Sequence, residues 1–67
     1  MEILLDLNEA AKRLGVGPKF PRRLVAERRI RFVKVGRFVR IPESAIEEFV
    51  AAGTVEPIVR VARGRVP

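Results

Sequence analysis

Cysteine, histidine, tyrosine and tryptophan are all absent from this sequence of 67 residues. Without cysteine there is no disulfide and no thiolate ligand, and without histidine the usual zinc ligand and near-neutral acid or base is missing too. Ser44 and Thr54 are the only hydroxyl side chains, so neither a catalytic triad nor a tyrosine nucleophile can be assembled. The residue inventory therefore predicts a protein that is not an enzyme and that uses no metal or cofactor.

Long apolar segments are also missing. No apolar run approaches the roughly 18 residues of a membrane span or the apolar region of a signal peptide. We therefore expect no membrane association and a location in the cytoplasm. A chain this short buries only roughly 60% of its unfolded surface, so we expect a single small domain with a thin core.

Acidic residues are scarce in the middle of the chain. Residues 12–40 carry eleven of the fourteen Lys and Arg side chains and one acid, Glu27, whereas residues 1–11 and 41–57 are acidic. The whole chain has a net charge of +6, and eleven of its cations are arginine, whose planar guanidinium suits phosphate oxygens and guanine edges. Small domains can be basic without binding a polyanion, but concentration of the charge in one segment predicts a polyanion-binding surface.

Capping and breaker residues predict two helices in the first half of the chain. Asp6 and Glu9 form a capping-box pattern, and Gly15 is placed to end that helix in a left-handed conformation. Pro21 lacks an amide hydrogen and disfavours helical geometry at the residue before it. We therefore place Pro21 at the first position of a short second helix, about residues 21–29, with Leu24 facing the core.

Residues 30–41 read as two short strands around Gly36, and two registers are open. A two-residue turn at Gly36 and Arg37 would put Val33 opposite Arg40, which mixes apolar and charged side chains on one face. A three-residue loop, 36–38, pairs Val35 with Val39 and Val33 with Ile41, leaving the cations Lys34 and Arg40 on the other face. Clean segregation of the faces favours the three-residue loop.

Pro42 is expected to open a third helix that Gly53 ends, with Ile46, Phe49 and Val50 on its core face. Residues 1–53 then form the folded domain and residues 54–67 a basic tail, in which Ile58–Val61 has some strand propensity. Helical and strand spacing assign nine residues to the core: Leu7, Ala10, Leu14, Leu24, Val33, Val35, Ile41, Ile46 and Phe49.

The predicted order is helix, tight turn, helix, two-stranded hairpin and helix, which is an α+β winged helix-turn-helix. With this order the sequence resembles the excisionase-type DNA-binding proteins, a MerR-like winged group that includes phage recombination directionality factors. The segments that carry the resemblance are Leu4–Ala11, Leu14–Val16, Val33–Arg37, Arg40–Pro42 and Ala45–Phe49. Three positions depart from that group: Gly17 replaces its capping Ser or Thr, Arg28 replaces its glycine before the wing, and Pro21 replaces a helix-compatible residue.

The resemblance implies that the second helix enters the major groove of double-stranded DNA and that the hairpin wing reaches the adjacent minor groove. Arg22 or Arg23 is then the candidate for reading guanine edges, and Arg37 at the wing tip is the candidate for the minor groove. The full set of implied DNA-binding residues is Lys19, Arg22, Arg23, Lys34, Arg37 and Arg40.

Other exposed residues keep more than one interpretation. Phe38 can pack on a sugar at the groove edge, stabilise the hairpin, or contact a protein. Arg28, Arg29 and Arg31 rank below the six candidates, because they can equally be solvated or pair with Glu27. Arg60, Arg63 and Arg65 of the tail can track phosphates, while Ile58–Val61 can dock on a neighbouring copy or on an integrase.

The resemblance implies an excisionase, which binds and bends DNA at a phage attachment site and directs a tyrosine integrase toward excision. Two alternatives remain open at the level of the sequence. One is a small winged helix-turn-helix transcriptional regulator with the same fold. The other is a basic adaptor that binds RNA or a protein, against which the lack of an RNA-binding aromatic pattern argues.

Overall fold

A computed structural model describes residues 1–58 of the chain, and within them it contains three helices and one antiparallel sheet of three strands. The elements in chain order are β1 (Leu4–Leu5), α1 (Leu7–Leu14), α2 (Lys19–Ala26), β2 (Val33–Val35), β3 (Phe38–Pro42) and α3 (Glu43–Gly53). The strand order is β1-β3-β2, and α1 and α3 pack against β3. The α+β winged helix-turn-helix is thus confirmed, whereas the predictions for the tail beyond Ile58 lie outside the described residues.

Helix α1 forms as its capping residues predict. The Glu9 amide donates to the Asp6 carboxylate at 2.8 Å, and the Asp6 amide donates to the Glu9 carboxylate at 3.0 Å. Gly15 ends the helix with φ of +71°, a left-handed conformation that glycine adopts without steric cost. Ala10 and Ala11 on the inner face of the helix are buried, so α1 is stabilised both by its capped ends and by packing of this face.

Helix α2 begins at Lys19, two residues before the predicted start, and it ends at Ala26, three residues before the predicted end. Pro21 is therefore the third helical residue and not the first. The first four amides of a helix have no acceptor within the helix, so the missing N–H at Pro21 costs no hydrogen bond there. The Pro21 ring is fully buried, and this packing offsets the unfavourable geometry that proline imposes on Phe20.

Arg28 follows α2 in a left-handed conformation with φ of +56°, and among residues 1–58 it is the single non-glycine residue with positive φ. Left-handed geometry costs a residue with a Cβ about 1–2 kcal/mol, although glycine loses part of that advantage to its freer unfolded state. We expect Arg28→Gly to raise the free energy of unfolding by about 0.5–1 kcal/mol, measured by urea denaturation. Arg29→Gly is the matched control and should lower it; a loss of stability in Arg28→Gly would contradict the assigned backbone geometry.

The hairpin adopts the register with the two-residue turn, which mixes apolar and charged side chains on one face. Val33 lies opposite Arg40, Lys34 opposite Val39 and Val35 opposite Phe38, so the predicted three-residue loop is wrong. The loop is the two-residue turn Gly36-Arg37, and Gly36 has φ of +64°, as the first position of a type II′ turn requires. The short turn matches the twist of the strands, and this local preference outweighs segregation because most of the hairpin extends beyond the core.

The register changes which residues are buried. Val33 and Val35 are exposed, contrary to prediction, and Val50 on α3 is exposed as well. The buried hydrophobic residues are Leu5, Ala10, Ala11, Leu24, Ile30, Ile41, Ala45 and Ile46. Leu7, Leu14, Phe20, Val25, Phe32 and Phe49 are partly buried and pack against this core.

Strand β1 was not predicted, since two residues give no alternating pattern to recognise. Leu4 pairs with Pro42 and Leu5 with Ile41, and Leu5 is buried. This strand makes β3 the central strand of the sheet, with β1 on the inner half and β2 on the outer half.

A polar network joins the segment before β1 to the start of α3. The Ser44 amide and hydroxyl each donate to the Glu2 carboxylate at 3.0 Å, and Arg31 donates to the Ser44 hydroxyl at 2.8 Å and to Glu48 at 2.9 Å. The Ser44 hydrogen bonds hold the pKa of Glu2 below its ordinary value, and the hydrogen bond to Glu48 raises the pKa of Arg31.

The lowered pKa of Glu2 gives a pH dependence with a defined sign. A carboxylate whose pKa is lower in the folded state stabilises the fold at neutral pH and loses that contribution as the pH falls through its folded pKa. We expect Glu2→Gln to melt below the wild type near neutral pH, and we expect this Tm difference to narrow as the pH falls below the ordinary Glu pKa of about 4.3. Melting curves of both proteins at several pH values measure it, and a gap that widens in acid would contradict the assignment.

Candidate nucleic-acid interface

The outward surface of α2 is a basic stripe, which we define as Lys19, Arg22, Arg23 and Ala26. These four residues recur at helical spacing i, i+3, i+4 and i+7, and all four are exposed, so they share one face of the helix. The stripe brings the three predicted α2 cations together. Ala26 carries no charge and was not among the predicted DNA-binding residues, and the helix that begins at Lys19 places it on the same face as the three cations.

The opposite face of α2 anchors the stripe to the core. Leu24 and Pro21 are fully buried, and the Phe20 ring meets the Phe49 ring of α3 edge-on, with centroids 6.3 Å apart. Helix α2 also packs along α1. A helix of only eight residues is marginal alone in water, so these contacts fix the direction in which the basic stripe points.

The wing carries a second basic group around an exposed aromatic ring. The guanidinium carbons of Arg37 and Arg40 lie 5.7 and 5.3 Å from the centroid of the Phe38 ring, within the range of cation–π attraction. Arg40 also donates from Nη1 to the carbonyl oxygen of Val39 at 2.9 Å. The two arginines are thereby held beside the ring at the outer end of the hairpin.

Lys34 and Arg40 do not share a face of the wing, contrary to prediction. Directly opposed residues in an antiparallel pair lie on the same face, so Arg40 lies with Val33, and Lys34 lies with Val39 on the other face. The two-residue turn causes this, because moving the register by one residue exchanges the faces of a strand. The wing therefore presents a cation on each side.

The ion pairs of the described residues involve other cations. Arg13 pairs with Glu43 at 2.9 Å, Arg29 with Glu27 at 3.3 Å and Arg31 with Glu48 at 2.9 Å. No ion pair within residues 1–58 uses any of the six predicted DNA-binding cations. Acids of α3 thus neutralise Arg13 and Arg31, while the basic stripe and the wing keep their charge available to an external anion.

The chemistry of this surface is recognition of anions and hydrogen-bond acceptors by guanidinium and ammonium groups. The part of the chain that the structure describes has no cluster of carboxylates suited to a metal ion. None of its helices has the length and apolar character needed to cross a membrane. Phe38 is the residue whose binding role the sequence left open, and its exposure beside two arginines adds it to the candidate surface.

Comparison with known proteins gives two matches. A family model described as a helix-turn-helix domain matches residues 4–54. A "Probable excisionase" from Saccharopolyspora erythraea is 45% identical over 49 residues, which make up 73% of this chain and 50% of that protein. The chain thus spans about half the length of this curated relative. No solved structure matches the chain significantly.

Proposed function

Because the chain belongs to the helix-turn-helix domain family, and resembles the excisionase type within it, we propose that it is a sequence-selective double-stranded DNA-binding protein that acts as an excisionase. In this role it binds and bends DNA at a phage attachment site and directs a tyrosine integrase toward excision. The observation that supports the DNA-binding half is the basic stripe, whose three cations lie on one face of the second helix of a helix-turn-helix and form no ion pair within residues 1–58.

The basic stripe is the part of the surface that reads sequence. The major groove is about 12 Å wide and admits one α-helix, and α2 offers Arg22 and Arg23 side by side to the base edges. A guanidinium donates two parallel hydrogen bonds to O6 and N7 of guanine. Lys19, at the first turn of the same face, is suited to a flanking phosphate, and Ala26 to the methyl group of thymine.

The wing supplies contacts on a second stretch of the duplex. Arg37 in the turn enters the minor groove, where narrow A·T-rich segments attract arginine through their negative potential. Arg40 and Lys34 contact phosphates from opposite faces of the hairpin. Simultaneous docking of α2 and the wing on adjacent grooves gives the protein a fixed register on DNA and favours a bent duplex.

Selection from a pool of random duplexes, followed by footprinting on the selected sequence, tests the DNA-binding half of the proposal. Each phosphate neutralised by the six cations releases counterions, so the affinity should fall steeply with salt. Equal binding to RNA and to duplex DNA at every salt concentration would instead favour the basic adaptor and contradict the proposal.

An excision reaction with a tyrosine integrase and paired attachment sites tests the second half. Addition of the protein should increase excision and bend the attachment-site DNA, as measured by the mobility of permuted fragments. DNA binding without any effect on excision would favour a transcriptional regulator.

Deletion of residues 54–67 tests whether the tail supports contacts with neighbouring copies or integrase. An unchanged binding isotherm on multi-site DNA would exclude a docking role.

A further inference from the structure

The Phe38 ring is the exception among the four phenylalanines of the chain. Phe20, Phe32 and Phe49 are partly buried and pack against the core, whereas Phe38 is 54% exposed. An exposed aromatic ring on a protruding hairpin contributes little to the stability of the core. Its surroundings indicate what it contacts.

Two features surround the ring. Val33 and Val35 are 38% and 48% exposed and lie on the same face of the hairpin as Phe38, since Val35 is its cross-strand partner. Arg37 and Arg40 lie over the ring at 5.7 and 5.3 Å. The wing therefore presents a narrow apolar strip, defined as Val33, Val35 and Phe38, with positive charge at its outer end.

We propose that Phe38 is a DNA contact, whose ring packs on the deoxyribose walls of the minor groove beside Arg37, while Arg40 neutralises a phosphate at the groove edge. This inference rests on the proposed DNA-binding function. The charge decides between possible occupants. A purely apolar protein partner would leave two guanidinium groups without acceptors at the rim, whereas a DNA groove provides apolar sugars between two rows of phosphates.

The dimensions of the groove agree with this arrangement. The minor groove of B-DNA is about 6 Å wide, which admits a flat ring edge-first but not a two-stranded hairpin. Only the turn and the ring beside it can enter, and the cation–π contacts hold both arginines next to that entry point. Apolar side chains placed in this groove favour a widened or bent duplex, so Phe38 is the residue of the wing best placed to deform DNA.

The test uses the duplex that the wild type selects from a random pool. Phe38→Ala should weaken binding about tenfold, because the complex then no longer buries roughly 55 Å² of apolar ring surface against the DNA. Because no charge is removed, the slope of log affinity against log salt concentration should stay the same, while the affinity is lower at every salt concentration. Arg40→Gln should instead make that slope shallower by about one, which is the contribution of one phosphate contact. Val50→Ala, which changes an exposed apolar residue of α3 outside the hairpin, is the control and should bind like the wild type.

A chemical change in the DNA separates groove contact from a structural role. Replacing adenine by 2,6-diaminopurine beneath the wing adds an amino group to the minor groove and leaves the major groove unchanged. The wild type should lose more affinity on this duplex than Phe38→Ala, in which Arg37 alone still enters the groove. Equal losses in both proteins, or equal affinity of both for the unmodified duplex, would overturn the inference.

Two further outcomes are distinguishable. If the wild type selects no duplex, the proposed DNA-binding function fails and the inference fails with it; if the wild type binds and Phe38→Ala binds equally, only the inference fails. Phe38→Leu, which keeps an apolar cross-strand partner for Val35, covers the case in which Phe38→Ala unfolds. Normal DNA binding by Phe38→Ala combined with lost excision in the presence of integrase would assign the ring to a protein partner and refute the DNA contact.

Discussion

Replacing Arg22 and Arg23 together with alanine is expected to abolish selective DNA binding. Both side chains extend from the exposed face of α2, and neither forms an ion pair with a described carboxylate. A bidentate contact to a base is worth about 1–3 kcal/mol of discrimination, so the pair should change affinity for the selected duplex about 100-fold or more. Competition gel shifts with the selected duplex and a scrambled duplex measure the loss.

The matched control for this prediction removes the same charge elsewhere. Arg13→Ala with Arg29→Ala deletes two guanidinium groups that pair with Glu43 and Glu27, so only long-range attraction should weaken and the preference for the selected duplex should remain. Retention of that preference by the Arg22→Ala, Arg23→Ala protein would show that α2 is not the recognition helix.

The second large effect concerns stability. Ile41 is fully buried at the point where β3 pairs with β1. Ile41→Ala leaves a cavity in a well-packed core and should lower the free energy of unfolding by about 3 kcal/mol, most of the roughly 3–5 kcal/mol that a core of this size supplies. Urea denaturation followed by far-ultraviolet circular dichroism should therefore find the variant largely unfolded in dilute denaturant.

Val35→Ala provides the comparison, and it also tests the register of the hairpin. In the observed register Val35 is 48% exposed and faces Phe38, so its truncation should cost less than about 1 kcal/mol. In the three-residue loop, Val35 would join Ile41 on the buried face, and the two substitutions would cost similar amounts. Equal destabilisation would therefore overturn the observed pairing.

The sequence was most informative where one local rule acts alone. Asp6, Glu9 and Gly15 carry strong capping signals, and α1 forms between them as predicted. The hairpin and the existence of α3 follow equally from local breaker residues. Burial of Leu24 was also predicted correctly, because its position in the core does not depend on whether α2 begins at residue 19 or 21.

The errors arose where two rules compete. Pro21 was treated as a helix start, but any position in the first helical turn tolerates its missing amide hydrogen. The hairpin register was chosen by apolar segregation, which applies to strands that are half buried, and only the inner end of this hairpin is. Strand β1 escaped detection because the pairing of Leu4 and Leu5 with β3 depends on residues almost forty positions away.

The candidate surface was predictable in composition but not in arrangement. Charge concentration predicts a polyanion-binding segment within residues 12–40, yet it did not distinguish Arg31, which hydrogen-bonds to Ser44 and Glu48, from Arg22. Pairing of a cation with a distant acid depends on the tertiary fold. The separation of Lys34 from Arg40 onto opposite faces depends likewise on the turn type, which a single glycine leaves open.

Strand β3 has a consequence for how rigid the two halves of the candidate surface are. Its residues Ile41 and Pro42 are buried and paired with β1, while Phe38 is exposed and pairs only with the neighbouring hairpin strand. Stiffness therefore changes within a single short strand, near Arg40. We therefore expect the hairpin to tilt about this junction and follow a groove of varying width, while α2 keeps its orientation because its buried side chains pack on the stiff side.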